Sequence, residues 1–138
     1  HPDPWEGFVT FLVRAEELQS EDRGLKEIVL GGTRGAERAV AARALIGPLV
    51  TQILQRAKDA GVVREDIELT DLPLIQLAIG TIAETARDVA PDVWRRMMTV
   101  VLDGLRAQCA RSKLVAPALG QEQLDAVMQC YGASRRRS

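Results

Sequence analysis

Residues that could perform chemistry are few in this sequence, and their spacing does not assemble them into a catalytic group. His1 is the single histidine, so no Ser–His–Asp or Cys–His arrangement can be built around it. The adjacent carboxylates of Glu16-Glu17 and Glu65-Asp66 point in different directions on a helix and are typical of solvated surface. A di-metal site in a helical bundle needs inward-facing Glu and His residues, whereas the stripes here are aliphatic. The sequence therefore predicts no enzyme activity, no cofactor and no metal ion.

Two other groups of residues could bind a ligand or a metal ion. The segment from Gly31 to Gly35 is glycine-rich and precedes a predicted helix, so it could cradle a phosphate. It lacks the Gly-Lys-Ser/Thr ending of a phosphate-binding loop and has no preceding strand pattern, which favours a turn between helices. Cys109 and Cys130 have no metal-ligand spacing, and their apolar helical surroundings predict buried, reduced thiols.

The composition is that of an ordinary globular domain, with 46% hydrophobic and 27% charged residues in a chain of 138. The formal net charge is −1, from 18 basic and 19 acidic side chains, so the sequence lacks the basic excess that a nucleic-acid surface needs. No apolar run approaches the roughly 20 residues that span a bilayer, and no signal peptide opens the chain. We therefore expect a cytoplasmic protein without membrane association.

Apolar residues recur at intervals of three and four along the chain, which predicts an all-α domain of about six helices. The predicted helices span about residues 4–18, 22–30, 34–60, 71–89, 91–109 and 121–129. Asp3 is expected to cap the first helix, and Thr70 or Asp71 the fourth. Gly61 is expected to end the third helix. Residues 1–131 should form the domain, and residues 132–138 a disordered basic tail.

The fourth and fifth predicted helices carry more apolar surface than one core can bury. Apolar or small residues cover an arc of roughly 200° in each, compared with the ~100° stripe of a one-sided helix. The residues of the second faces are Leu74, Ala78, Thr81 and Thr85 in the fourth helix and Val93, Met97, Val100 and Gly104 in the fifth. These faces predict a homodimer in which two helices of each subunit form a four-helix bundle. The alternative, burial of both faces within one monomer, is hard to arrange with six helices.

The order of these pieces resembles the C-terminal effector-binding and dimerisation domain of TetR-family transcriptional regulators. The opening residues 3–8 are similar to the first helix of that domain, and residues 54–67 resemble one of its helix ends and the acidic connector that follows. Asp71-Leu72-Pro73 before an apolar helix, and a proline-initiated helix with Trp94, are similar to its dimerisation pair. The family's N-terminal helix-turn-helix is missing from this sequence. The resemblance therefore implies that DNA is bound only through a domain outside this chain.

The resemblance further implies a ligand-responsive regulator that acts as a repressor. A small molecule would enter a pocket among the first, third and fourth helices. Its binding would move the DNA-binding domains of the dimer, so that the operator is released. The pocket candidates, each of which could equally serve core packing, are Trp5, Phe8, Phe11, Leu12, Leu45, Leu49, Ile53, Ile75, Ile79 and Ile82. Because these residues are apolar, a hydrophobic or aromatic effector is expected. Candidates for polar contacts are Thr51, Gln52, Gln76 and Glu84. The alternative function is a helical protein–protein interaction module without an effector.

Overall fold

The computed structural model describes the backbone of residues 1–21 and 36–137, and the side chains of residues 1–19 and 46–134. Within these ranges the chain forms five α-helices, and a 3-10 turn (Ala107–Cys109) follows the fourth. The helices are α1 (Pro4–Glu21), α2 (Ala36–Asp59), α3 (Asp71–Thr85), α4 (Val93–Leu105) and α5 (Gln121–Arg137). The all-helical class is confirmed. The predicted second helix, residues 22–30, and the glycine-rich segment lie outside the described residues.

Two of the three predicted helix-end signals are confirmed. Asp3 caps α1, because its Oδ1 accepts hydrogen bonds from the backbone N–H groups of Trp5 (2.8 Å) and Glu6 (3.1 Å). Gly61 ends α2 in the left-handed region, with φ of 70°. Its N–H donates to the Lys58 carbonyl, and the N–H of Val62 donates to the Ala57 carbonyl, which is the Schellman arrangement.

The prediction that a side chain caps α3, the fourth of the predicted helices, is wrong. No side chain caps this helix at Thr70. The Thr70 hydroxyl instead donates to the Leu119 carbonyl at 2.7 Å, and the Asp71 carboxylate accepts the N–H of Glu68 at 2.8 Å. The threonine therefore ties the start of α3 to the segment that leads into α5.

The largest differences from the predicted helix bounds lie at the ends of three helices. α3 ends at Thr85, because the following residues close a turn in which the N–H of Ala90 donates to the Ala86 carbonyl. α4 ends at Leu105, because Arg106 adopts an extended conformation. α5 continues to Arg137, through most of the segment predicted to be a disordered tail.

The connector between α2 and α3 is fixed against the end of α4. Val63 and Arg106 form an isolated antiparallel bridge, in which the Arg64 N–H donates to the Leu105 carbonyl at 2.9 Å. The Arg106 guanidinium also lies over the Trp5 ring, 4.1 Å from its centroid. These contacts join the first helix, the connector and the fourth helix into one unit.

The main core lies where α1 meets α2 and α3, and where α3 meets α4. Its fully buried side chains include those of Phe8, Leu12, Ile79 and Met98. A second, smaller cluster joins Leu124 and Met128 of α5 to Leu74 and Leu77 of α3. Burial of these side chains is the main force that holds the helices together.

Both cysteines are exposed and free, so the prediction of buried thiols is wrong. Cys109 lies in the 3-10 turn, beyond the end of the helical stripe that was expected to bury it. Cys130 lies on the side of α5 that faces away from Leu124 and Met128. None of the helices in the described ranges is long and apolar enough to cross a bilayer.

The connector also holds the ion pair between Arg64 and Asp66, in which the pKa of the Asp66 carboxyl is lowered. The Arg64 side chain donates to Asp66 at 2.6 Å and also donates to the Gly104 carbonyl at 3.2 Å. The hydrogen bond from Arg64 lowers the Asp66 pKa from 3.8 to about 2. A carboxylate whose pKa is lowered on folding adds stability above its unfolded pKa and loses it as the pH falls through the folded pKa.

We therefore expect acid to weaken the protein between about pH 4 and pH 2, partly through Asp66. Thermal unfolding followed by circular dichroism across this range should show a smaller decline in Asp66→Asn than in the wild type. Asp103→Asn, at an exposed carboxylate on α4, is the matched control and should follow the wild type. Identical declines in wild type and Asp66→Asn would show that the ion pair contributes nothing.

Candidate ligand-binding cavity

A cavity of about 650 Å³ lies between α1, α2, the start of α3 and α5. This volume falls within the range of about 300–1,000 Å³ that small-molecule sites occupy. Apolar lining residues from the first two helices are Phe11, Ala15, Leu18, Ile46, Val50 and Ile53. Leu69, Leu72 and Pro73 line it near the start of α3, and Leu124 and Met128 line it from α5. The cavity therefore has mostly apolar walls drawn from four helices.

The first helix forms both the core and the cavity because it presents two apolar faces. Trp5, Phe8 and Leu12 follow one another at spacings of three and four and are buried in the core. Phe11, Ala15 and Leu18 follow the same spacings on the neighbouring face and line the cavity. Leu18 is 46% exposed and Ile46, which faces the cavity from α2, is 44% exposed. Large apolar side chains are thus left uncovered at the cavity, as binding of an apolar ligand requires.

Two buried glutamines add polar groups to these apolar walls. Gln19 of α1 is 5% exposed and Gln76 of α3 is 7% exposed, and both line the cavity. The Gln76 side-chain N–H donates to the Leu12 carbonyl at 3.1 Å. Within the described part of the chain, neither side-chain carbonyl oxygen of these glutamines has a hydrogen-bond partner. The two oxygens have almost no accessible surface, so other atoms of these side chains border the cavity.

A buried carboxylate lies where α1 crosses α3. Glu16 is 1% exposed, and a Cβ placed on Gly80 would lie 3.3 Å from its Oε1 atom. Glycine at position 80 thus gives the Glu16 side chain its room between the helices. Glu16 does not itself line the cavity.

Among the described residues that line the cavity, the charged side chains are basic. Arg14 pairs with Glu17 at 2.9 Å, and Arg56 donates to the Pro2 carbonyl at 2.7 Å. The hydrogen bond from Arg95 of α4, together with that from Arg14, lowers the Glu17 pKa. Among the described lining residues none is an aspartate or glutamate. The described part of the wall therefore offers a cationic ligand no carboxylate partner.

The predicted effector residues are divided between the cavity and other places. Phe11 and Ile53 line the cavity. Those that belong to the buried core and do not line it are Trp5, Phe8, Leu12 and Ile79. Ile75 and Ile82 are half-buried against that core. Leu49 does not line the cavity and is 60% exposed. Leu45 is not among the residues whose side chains the structure describes. Of the predicted polar contacts, Gln76 lines the cavity, whereas Thr51, Gln52 and Glu84 do not.

Several residues that line the cavity are not among the predicted effector-binding residues, because that prediction selected large apolar side chains. Gly7 and Ala15 line the cavity because small residues leave space between α1 and α2. Gln19 lies seven residues after Leu12, in the position where the apolar stripe of α1 would continue. A glutamine in such a stripe is the sequence signal that could have found this wall.

The predicted dimer residues lie on two surfaces of different character. On α4, Met97 is 37% exposed and Val100 is 62% exposed, and an added Cβ on Gly104 would have nothing within 4 Å. Val93, at the start of the same face, is half-buried. This face of α4 is therefore open from Met97 to Gly104.

The corresponding face of α3 is shared with α5. Ala78, Thr81 and Thr85 are exposed, but Leu74 packs against the α5 cluster, and the Thr81 hydroxyl lies 3.4 Å from that of Tyr131. The last helix thus covers one end of the α3 face and leaves the other end free.

Comparison with known proteins identifies the family. Residues 3–107, from the start of α1 through the first residue of the 3-10 turn, match the C-terminal domain of SbtR-like transcriptional regulators. No curated protein sequence matches the chain. The matched region contains three of the helices around the cavity, and α5 lies beyond it. In the described part of the chain, no group of three or more His, Cys, Asp or Glu side chains could hold a metal ion.

The match over residues 3–107 shows that the chain belongs to the TetR-type transcriptional regulators, as an SbtR-like C-terminal domain.

Proposed function

We propose that this chain is the effector-binding and dimerising part of a cytoplasmic, ligand-responsive repressor. The observation that supports this most strongly is the apolar cavity of about 650 Å³ between α1, α2, the start of α3 and α5. The effector is a hydrophobic or aromatic small molecule, because most of the lining side chains are apolar. The chain performs no catalysis, and DNA is bound only by a helix-turn-helix domain outside it.

Ligand binding in the cavity acts on the DNA-binding domain through α1. This helix supplies lining residues from its first turn to its last, including Pro4, Phe11 and Gln19. Its N-terminal end is joined to α2 by Arg56, which donates to the backbone carbonyls of residues 1 and 2. A ligand between α1 and α2 would favour one spacing of these helices, and the DNA-binding heads would follow the start of α1. The ligand shifts this equilibrium only as far as it binds the released state more tightly.

Dimerisation uses the open face of α4. Val100 and Met97 are exposed apolar side chains on this face, and Gly104 lets another helix approach closely. Together with the free part of α3, this surface forms a four-helix bundle with a second copy of the chain. A dimer is required if two DNA-binding heads are to meet two successive major grooves.

The cavity proposal predicts that filling the cavity abolishes ligand binding. Ala15→Phe places a ring between Phe11 and Leu18, in space that the ligand needs. Isothermal titration with indole should give saturable binding at one site per chain in the wild type, weakened at least about tenfold in Ala15→Phe. A negative heat-capacity change is expected, because apolar surface is buried on binding.

The matched control is Ala126→Phe, at an exposed position of α5 that does not line the cavity. This variant should bind indole as the wild type does. Absence of binding in the wild type, or equal binding in wild type and Ala15→Phe, would contradict the cavity as the effector site.

A further inference from the structure

Two arginines interrupt the apolar faces that α1 and α2 present to the cavity. Arg14 lies three residues after Phe11 and four before Leu18, and all three line the cavity. Arg56 lies three residues after Ile53, and both line it from α2. Spacings of three and four keep residues on one side of a helix. Both arginines therefore occupy positions where the pattern on the cavity side would place an apolar residue.

Both guanidinium groups are open to solvent and to a ligand. The Arg14 side chain is 66% exposed, and Arg56 is exposed as well. Long basic side chains lay their methylene stems along apolar surface and keep their charged ends in water. The stems of Arg14 and Arg56 thus extend the apolar wall, and their charges lie where the cavity meets solvent.

The positive charge of Arg56 is not neutralised by a carboxylate of the described residues. Its guanidinium donates to the backbone carbonyls of residues 1 and 2, at 2.7 Å for Pro2. These neutral acceptors hold the group against the start of α1 and use two of its five N–H donors, so three remain for a ligand. The Asp3 carboxylate, close by in the sequence, accepts backbone N–H groups of α1 and does not line the cavity.

The charge of Arg14 is only partly neutralised, because its partner is shared. Glu17 accepts a hydrogen bond from Arg14 at 2.9 Å and another from Arg95 of α4 at 3.1 Å. A second carboxylate near Arg95, that of Asp92, is 3.8 Å away and 87% exposed, so Glu17 is the closer partner of both arginines. Glu17 does not line the cavity. The described wall therefore combines a large apolar area with an excess of positive charge.

We propose that the effector is an apolar molecule with a carboxylate at one end, which Arg56, together with Arg14, binds where the cavity meets solvent. This inference rests on the proposed function of the cavity and names the chemical class of its ligand. A guanidinium binds a carboxylate through charge-assisted hydrogen bonds and can present two parallel N–H groups to it. A neutral ligand of the same shape would leave these groups to water, and a cationic ligand would be repelled.

Three probes that share an indole ring test the inference by isothermal titration of the chain. Indole-3-acetate, tryptophol and tryptamine have short side chains that end in a negative, a neutral and a positive group, respectively. The wild type is expected to bind indole-3-acetate at least about fivefold more tightly than tryptophol, and tryptophol more tightly than tryptamine. The preference for indole-3-acetate should shrink when sodium chloride is raised from about 50 mM to about 500 mM, because salt screens exposed charges.

Substitutions of single charges assign the preference to the cavity. Arg56→Gln should reduce the preference for indole-3-acetate to less than about twofold, and Arg14→Gln should reduce it in part. Both should bind tryptophol as the wild type does, which a merely structural loss would not allow. Glu17→Gln removes the carboxylate that competes for Arg14 and should tighten the binding of indole-3-acetate about twofold. The matched control is Arg111→Gln, at an exposed position outside the lining, which should retain the full preference.

The outcomes separate this inference from the proposed function. If the wild type binds none of the three probes, the effector cavity itself is refuted, and this inference with it. If the wild type binds tryptophol at least as tightly as indole-3-acetate, the anionic effector is refuted and the cavity stands. The same conclusion follows if Arg56→Gln and Arg14→Gln both keep the preference, or if Arg111→Gln loses as much of it as Arg56→Gln.

Discussion

Gly104→Arg is expected to convert the proposed dimer into monomers, with a rise of at least about a hundredfold in its dissociation constant. Gly104 lies on the open face of α4, together with the exposed Val100 and Met97. A glycine allows two helices to approach closely, whereas arginine would separate them or bury a charge without a partner. Size-exclusion chromatography with light scattering at micromolar concentration should show the change in mass, and circular dichroism should show that helical content is retained.

Thr99→Arg is the matched control for this substitution. Thr99 is exposed on a different side of α4, where its hydroxyl donates to the Arg95 carbonyl of its own helix. An arginine there adds the same charge and the same bulk away from the proposed interface, so the dimer should persist. A dimeric Gly104→Arg variant, or a wild type that is monomeric at this concentration, would show that α4 does not form the interface.

Phe8→Ala is expected to lower the free energy of unfolding by about 3–5 kcal/mol, a large share of the stability of a domain of this size. Phe8 is completely buried, and its ring centroid lies 6.0 Å from that of Trp5. Its removal would leave a hole at the meeting point of α1 and the core. Urea unfolding followed by circular dichroism measures the loss, at one fixed protein concentration because dimers gain stability by mass action.

The matched control is Phe11→Ala, at the only other phenylalanine of the chain. Phe11 is half-buried and already borders the cavity, so its truncation enlarges an existing space and should cost less than about 2 kcal/mol. Equal losses in the two variants would contradict the division of α1 into a core face and a cavity face.

The elements set by local physics were predictable from the sequence. The start of α1 follows from the Asp3 side chain and its two hydrogen bonds to backbone N–H groups close by in the sequence. The end of α2 follows from Gly61, whose positive φ is costly for other residues. Both signals act over a few residues, so the sequence contains all the information that they need.

The cavity and the last helix depend on packing between distant segments. Phe8 and Phe11 belong to the same apolar pattern, yet one fills the core and the other borders empty space. Periodicity cannot separate them, because the gap between α1 and α2 depends on small residues such as Gly7. α5 is likewise longer than its apolar pattern indicates, since Tyr131 packs against Leu124 and Met128 and reaches Thr81 of α3.

A crystal structure of the chain grown with tryptophol tests most directly whether the cavity holds an effector. We expect density for the indole ring between α1 and α2, against Phe11, Ala15 and Ile53. Density for tryptophol only outside the cavity, or a cavity filled by the chain's own side chains, would contradict an effector site in this domain.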